Sequence, residues 1–230
     1  MQERLRRSFE ETLKFASASG AWIVPGESKS AVKGGEIPSD LPILAVPGGG
    51  RLTAIREEMG DCKRCGLSSG RTHIVFGVGK GDAGILFVGE GPGEEEDRRG
   101  EPFVGRAGGL LDKMIKAIGC KREEVYIANI VKCRPPRNRD PKVEEIAACI
   151  PFLKAQIKAI NPAVICALGR HAATSLLGID APLGRLRGQR HHFEGVPLIP
   201  TYHPAYLLRN PSAKRDVWRD LQLVRDLAAR

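Results

Sequence analysis

The sequence predicts an α/β protein: a three-layer α/β/α sandwich on a central, mainly parallel, four-stranded sheet. Two observations carry that prediction. Four short apolar runs, Gly84–Gly89, Val125–Ile130, Ala163–Leu168 and Val196–Pro200, have the length of buried strands, and several are bounded by Gly, Asn or Pro. Helical periodicity falls between and after them, over Gly108–Ile118, Val143–Ile160, Arg170–Leu177 and Ala213–Ala229. Strands alternating with helices make βαβ units, whose crossovers cover both faces of a parallel sheet. Ligands of such sheets gather at loops beyond the carboxyl ends of strands. The segments after Val88, Ile130, Leu168 and Pro200 are therefore the places to look.

Taken in order, residues 1–50 differ from the rest. Arg4 to Phe15 has the spacing of a short amphipathic helix, with Leu5, Phe9 and Leu13 near one face. The Gly-, Pro- and Ser-rich stretch after it, ending in Pro47-Gly48-Gly49-Gly50, reads as a flexible linker. Residues 51–230 form the expected globular domain. The chain of 230 residues is 42% hydrophobic and 27% charged, as an ordinary soluble protein is. No apolar run is long enough to span a membrane, and the N-terminus lacks a signal-peptide core, so no membrane partner and a cytoplasmic location are expected. The formal charge is +9, and all of it falls after residue 120, where 19 Lys and Arg face 10 Asp and Glu. A one-sided basic excess suits a polyanion, or a solvated basic surface.

The first strand runs into Gly89-Glu90-Gly91-Pro92-Gly93-Glu94-Glu95-Glu96-Asp97. Glycines let the backbone approach a ligand closely. The loop lacks the Gly-Lys-Ser/Thr of a phosphate loop, does not fit the dinucleotide pattern, and its acids oppose phosphate. The second strand carries Asn129 near its end, and a buried Asn needs partners. After the fourth strand comes His203-Pro204-Ala205-Tyr206-Leu207-Leu208-Arg209. His171, after the third strand, reads as a helix-start residue. His191 and His192 sit in an expected basic hairpin with Arg185, Arg187 and Arg190. Cys62 and Cys65 form a C-x-x-C pair, followed far downstream by Cys133 and Cys149. That is not a zinc-ribbon spacing, but by count alone four cysteines suit zinc or an iron–sulfur cubane equally. Cys120 and Cys166 read as packing residues.

The stretch Gly89 to Leu111, with Arg99-Gly100-Glu101-Pro102-Phe103-Val104-Gly105-Arg106-Ala107-Gly108 inside it, resembles the first active-site motif of the family 4, iron–sulfur uracil-DNA glycosylases. The His203–Arg209 segment resembles their second motif. The resemblance covers residues 51–230. It implies hydrolysis of the N-glycosidic bond of deoxyuridine in single- or double-stranded DNA, by a monomer acting in base excision repair. It places Glu90 and Gly91 beside the attacking water, Glu96 at C5 of the base to exclude a methyl group, and Phe103 on the base as a stacking platform. It makes Asn129 the reader of the uracil edge. One fixed amide can pair with O4 and N3–H of uracil, whereas cytosine presents the reverse pattern. It makes His203 the donor to O2 of the leaving base, Leu207 with Leu208 the wedge that fills the gap left by the flipped nucleotide, and Arg209 a phosphate contact. It assigns Cys62, Cys65, Cys133 and Cys149 to a structural [4Fe–4S] cluster. Catalysis is expected to rest on Glu90 and His203.

The chain departs from the wider superfamily at Gly91, where several relatives have Asp or Asn to orient the water; here Glu90 or backbone carbonyls must do so, and the loop is expected to shape the pocket more than to supply a strong base. No lysine stands at the motif positions where a Schiff base would form, so no lyase step is expected. A cluster-containing variant that bonds covalently to the abasic sugar has a histidine in a loop after the second strand. Arg134 to Pro141 contains none. A non-enzymatic DNA-binding module would have no need of Phe103, Asn129 and His203 together.

Overall fold

The structure, a computed structural model, describes residues 48–229. The expected helix over Arg4–Phe15 and the linker up to residue 47 lie outside the described residues. The helices are α1 (Gly48–Met59), α2 (Glu94–Arg99), α3 (Arg106–Ala117), α4 (Val143–Ile160), α5 (Arg170–Leu177), α6 (Leu183–Leu186), α7 (Pro204–Arg209) and α8 (Lys214–Ala228). The strands are β1 (Val78–Gly79), β2 (Ile85–Gly89), β3 (Tyr126–Asn129), β4 (Val164–Leu168), β5 (His191–Phe193) and β6 (Val196–Thr201). All four predicted strands are present. The glycines that read as the end of a linker instead open α1, whose Leu52, Ile55 and Met59 pack into the core.

The sheet has six strands, not four, in the order β1-β3-β2-β4-β6-β5. Strands β3, β2, β4 and β6 run parallel, and β1 and β5 flank them antiparallel. The edge strands escape detection for a physical reason. They are two and three residues long, and β5 is His191-His192-Phe193, with no apolar run. Strand β5 turns into β6 through Glu194 and Gly195, both at positive φ (49° and 79°), as a tight hairpin requires. This is the basic hairpin expected around His191 and His192.

Strands β2 and β4 are buried along their whole length, as strands covered on both faces should be. Alternate residues serve different cores. Leu86, Val88, Ile165 and Ala167 face a cluster with side chains of α1, α4 and α5. Ile85, Phe87, Cys166 and Leu168 face a second, with Leu111 and Ile115 of α3 and Val217, Leu221 and Val224 of α8. Helices thus cover both faces. Among the described residues no helix is long and apolar enough to cross a membrane.

The parallel strands bring Gly89, Asn129, Leu168 and Thr201 to one edge of the sheet. Gly89 and Asn129 are partners in register. The end of β6 is fixed from behind. Thr201 Oγ1 donates to Asp220 Oδ2 of α8 at 2.7 Å, and Arg187 donates to both oxygens of that wholly buried carboxylate at 3.1 Å.

Candidate active site

At this edge a cleft of about 490 Å³ opens, with Glu90, Gly91, Glu96, Phe103, Asn129, His203 and Arg209 among its lining residues. Its size suits a small planar ligand. Every pocket residue singled out in the sequence outside the wedge therefore meets in one place.

The floor is built by close packing. A Cβ on Gly89 would run into Asn129 Oδ1 and the ring of Phe103, and one on Gly91 would lie 2.8 Å from Val131 Cγ2. Glycine is required at both positions for approach rather than for backbone freedom. Phe103 holds φ at +54°, a strained setting for an aromatic residue, and is 7% exposed. Its ring centroid lies 5.5 Å from that of His203. Glu96 enforces the loop. Its carboxylate accepts from the backbone amides of Gly93 (3.1 Å), Val104 (3.0 Å) and Gly105 (3.1 Å). Buried Asp97 adds to the clamp by accepting from Thr72 N at 2.8 Å. Glu96 is thus first a brace for the strained turn at Phe103, a job that its sequence neighbours did not announce.

Asn129 is 2% exposed, and its Oδ1 has no protein partner. A buried carbonyl left open is costly. Asn129 lines the cleft, where a ligand donor could meet that oxygen. His203, which also lines the cleft, caps α7. Its Nδ1 accepts from Ala205 N at 3.1 Å, so in the neutral ring the proton sits on Nε2. Burial lowers His203 to about 4, with Glu96 opposing that shift and Arg209 adding to it. The ring is therefore a neutral donor at physiological pH.

Glu90 is half-buried at the rim. Burial pushes its carboxyl above the usual range; the His171 ring opposes this and the Asp140 carboxylate reinforces it. His171 Nε2 lies 3.2 Å from Asp140 Oδ2, and ligand atoms of Glu90, Asp140 and His171 all fall within 4.8 Å of one another. His171 does open α5, as expected, but it also faces the rim. Asp140 was missed because its segment reads only as a basic loop. That loop is held by Arg139, whose guanidinium meets Glu145 at 2.8 and 2.6 Å.

The two leucines expected at the wedge are placed differently. Leu207 is 2% exposed and packs in the α3–α8 core. Leu208 is 41% exposed and stands beside exposed Tyr206 and Arg209. Successive residues of a helix are turned about 100° from one another, so one of two adjacent leucines can be buried while the other is exposed, and sequence spacing alone did not say which would be which.

On the other side of β3, Cys62, Cys65, Cys133 and Cys149 line one small cavity with Arg71 and Lys132. Arg71 Nη1 donates to Cys62 O at 2.6 Å and to Cys133 Sγ at 3.4 Å, and Lys132 N donates to Cys149 Sγ at 3.3 Å. Cys166 is buried in β4 and Cys120 packs on the α3 side, apart from these four.

Residues 76–222 match the family model for the uracil DNA glycosylase superfamily. The chain is 49% identical over 175 residues to the type-4 uracil-DNA glycosylase of Thermotoga maritima, covering 74% of this chain and 91% of that one. It is 45% identical to the type-4 enzyme of Sulfurisphaera tokodaii over 77% of this chain and 84% of the other. With that of Archaeoglobus fulgidus the identity is 41%, over 78% and 94%. A cleft with an aromatic floor, an open amide and a neutral imidazole, carried on a sequence of this likeness, assigns the chain to the type-4 uracil-DNA glycosylases.

Proposed function

We propose that this protein hydrolyses the N-glycosidic bond of deoxyuridine in DNA, releasing uracil and leaving an abasic site for base excision repair. The observation that carries the reading is the open Oδ1 of Asn129, buried in the wall of the cleft that Phe103 and His203 also line. Uracil flipped from the stack lies on Phe103, and the Asn129 amide pairs with O4 and N3–H. Neutral His203 donates from Nε2 to O2 as negative charge grows on the base. Glu90, ionised, holds the water that attacks C1′ as the sugar gains oxocarbenium character. Glu96, fixed by three amides, forms a wall that excludes a 5-methyl group. Leu208, in place of Leu207, fills the vacated stack, and Arg209 meets phosphate. The protein acts on single- or double-stranded DNA as a monomer. Its catalytic domain is residues 51–230, an α/β/α three-layer arrangement.

The four-cysteine cavity supports a [4Fe–4S] cluster held by Cys62, Cys65, Cys133 and Cys149. The donor set fits. Four cysteines line one cavity, two hydrogen bonds end on their sulfurs, and one of those donors is the Arg71 guanidinium, which can offset thiolate charge. Burial pushes the Cys149 thiol up to about 11, and a bound cationic centre would favour its thiolate. When bound, the cluster supplies a cross-link between the segment after α1, the end of β3 and α4.

An excision assay on U:G, U:A, single-stranded U and T:G DNA tests the proposal, with iron and sulfide analysis of the same sample. Uracil release from the first three and none from T:G is expected. No uracil release would defeat it.

A further inference from the structure

One buried charge has no part in the steps above. Lys132 is 1% exposed, and removing an ammonium from water is costly unless it is well bonded. Its Nζ donates to Asn129 O at 2.9 Å and to Gln156 Oε1 at 2.7 Å, both neutral acceptors. Gln156 is itself fixed: its Nε2 donates to Phe76 O at 3.0 Å and to the Tyr126 hydroxyl at 3.3 Å, which turns its oxygen toward the lysine. The Lys132 backbone serves the cysteine cavity. Its N–H donates to Cys149 Sγ, its carbonyl accepts from Val75 N at 2.8 Å, and the next residue is Cys133. One residue therefore belongs to the wall of the cysteine site and, through its side chain, to the end of β3. An apolar side chain of equal size would leave both the Asn129 carbonyl and Gln156 Oε1 without this donor.

We propose that Lys132 is a positioning residue for base recognition: its ammonium anchors the Asn129 carbonyl and thereby sets the Asn129 amide edge, while its backbone is fixed by the cysteine site. This rests on Asn129 being the uracil reader. It follows that the cysteine site and the base-reading amide are joined across only three residues of chain, and that loosening one loosens the other.

A double-mutant cycle tests this. Single-turnover excision of uracil DNA is measured for the wild type, Lys132→Met, Asn129→Ala and the double variant, with circular dichroism and visible absorption confirming fold and cluster in each. Lys132→Met is expected to slow excision about tenfold when Asn129 is present, as for residues in direct contact. In the Asn129→Ala background its effect is expected to shrink to about twofold or less. Equilibrium dialysis with labelled free uracil, which needs no turnover, is expected to show weaker binding by Lys132→Met. The same fold-loss in both backgrounds, or no loss beside intact Asn129, overturns the proposal. If Lys132→Met does not fold or lacks the cluster absorption, Gln156→Leu goes through the same cycle, and equal losses there overturn it. A wild-type protein that releases no uracil would instead remove the functional reading on which the inference stands, whereas an active wild type with an additive cycle refutes the role of Lys132 alone.

Discussion

In the proposed mechanism Glu90 and His203 divide the chemistry by charge state, and burial is the largest cause of both shifts. Burial lowers His203 to about 4, so the proposed donor to the leaving base is the Nε2–H of a neutral imidazole rather than an imidazolium. Glu90 must be ionised to hold water, and its carboxyl is raised by burial. We expect Glu90→Gln to slow single-turnover excision about 100-fold or more, and His203→Ala about 100- to 1000-fold. If both variants keep near-normal rates, the assignment of roles is wrong. The pH dependence follows from the same environment. Excision should fall as pH drops through the raised Glu90 value, and this acid limb should vanish in Glu90→Gln. Asp140→Asn removes a negative charge that raises Glu90, so the limb should move to lower pH. His171→Asn removes a group that lowers Glu90, so the limb should move to higher pH. Rate–pH profiles check the signs, and a limb that stays still in both variants would show that another group titrates.

At the scale of elements, the short helix α7 does two jobs through adjacent leucines. Leu207→Ala should lower stability by about 2–5 kcal/mol, the cost of a core truncation. Leu208→Ala should leave the melting temperature unchanged and slow excision from double-stranded DNA more than from single-stranded DNA, which has no stack to refill. Thermal melts and paired excision assays separate the two, and a reversed pattern would restore Leu207 as the wedge. This is also where sequence reading reached its limit. Strands β2, β3, β4 and β6 were legible because burial on both faces demands unbroken apolar runs. Strands β1 and β5 were not, because an edge strand needs only a few backbone bonds. Asn129, Phe103 and His203 were legible through motif likeness and strand-end position. Lys132, Asp140 and the bracing role of Glu96 were not, since each depends on contacts across distant parts of the chain, such as Lys132 with Gln156.

For the whole molecule, the cysteine cavity ties the segment after α1 to α4 and the end of β3, outside the cleft yet next to it. Cys62→Ser or Cys133→Ser should lose the visible absorption of the cluster and lower the melting temperature, with excision falling in step with the folded fraction. Unchanged melting would show that the cavity is not a structural cross-link. The last feature to weigh is Asp220, the buried carboxylate of α8 that holds Thr201 and Arg187. It stands 17 residues after His203 in the chain. During synthesis, then, His203 leaves the ribosome before the helix that braces its strand. A chain that stops short of Asp220 already holds every residue lining the cleft yet lacks the carboxylate that accepts from Thr201 and Arg187, so the cleft leans on a helix that lends it no lining residue.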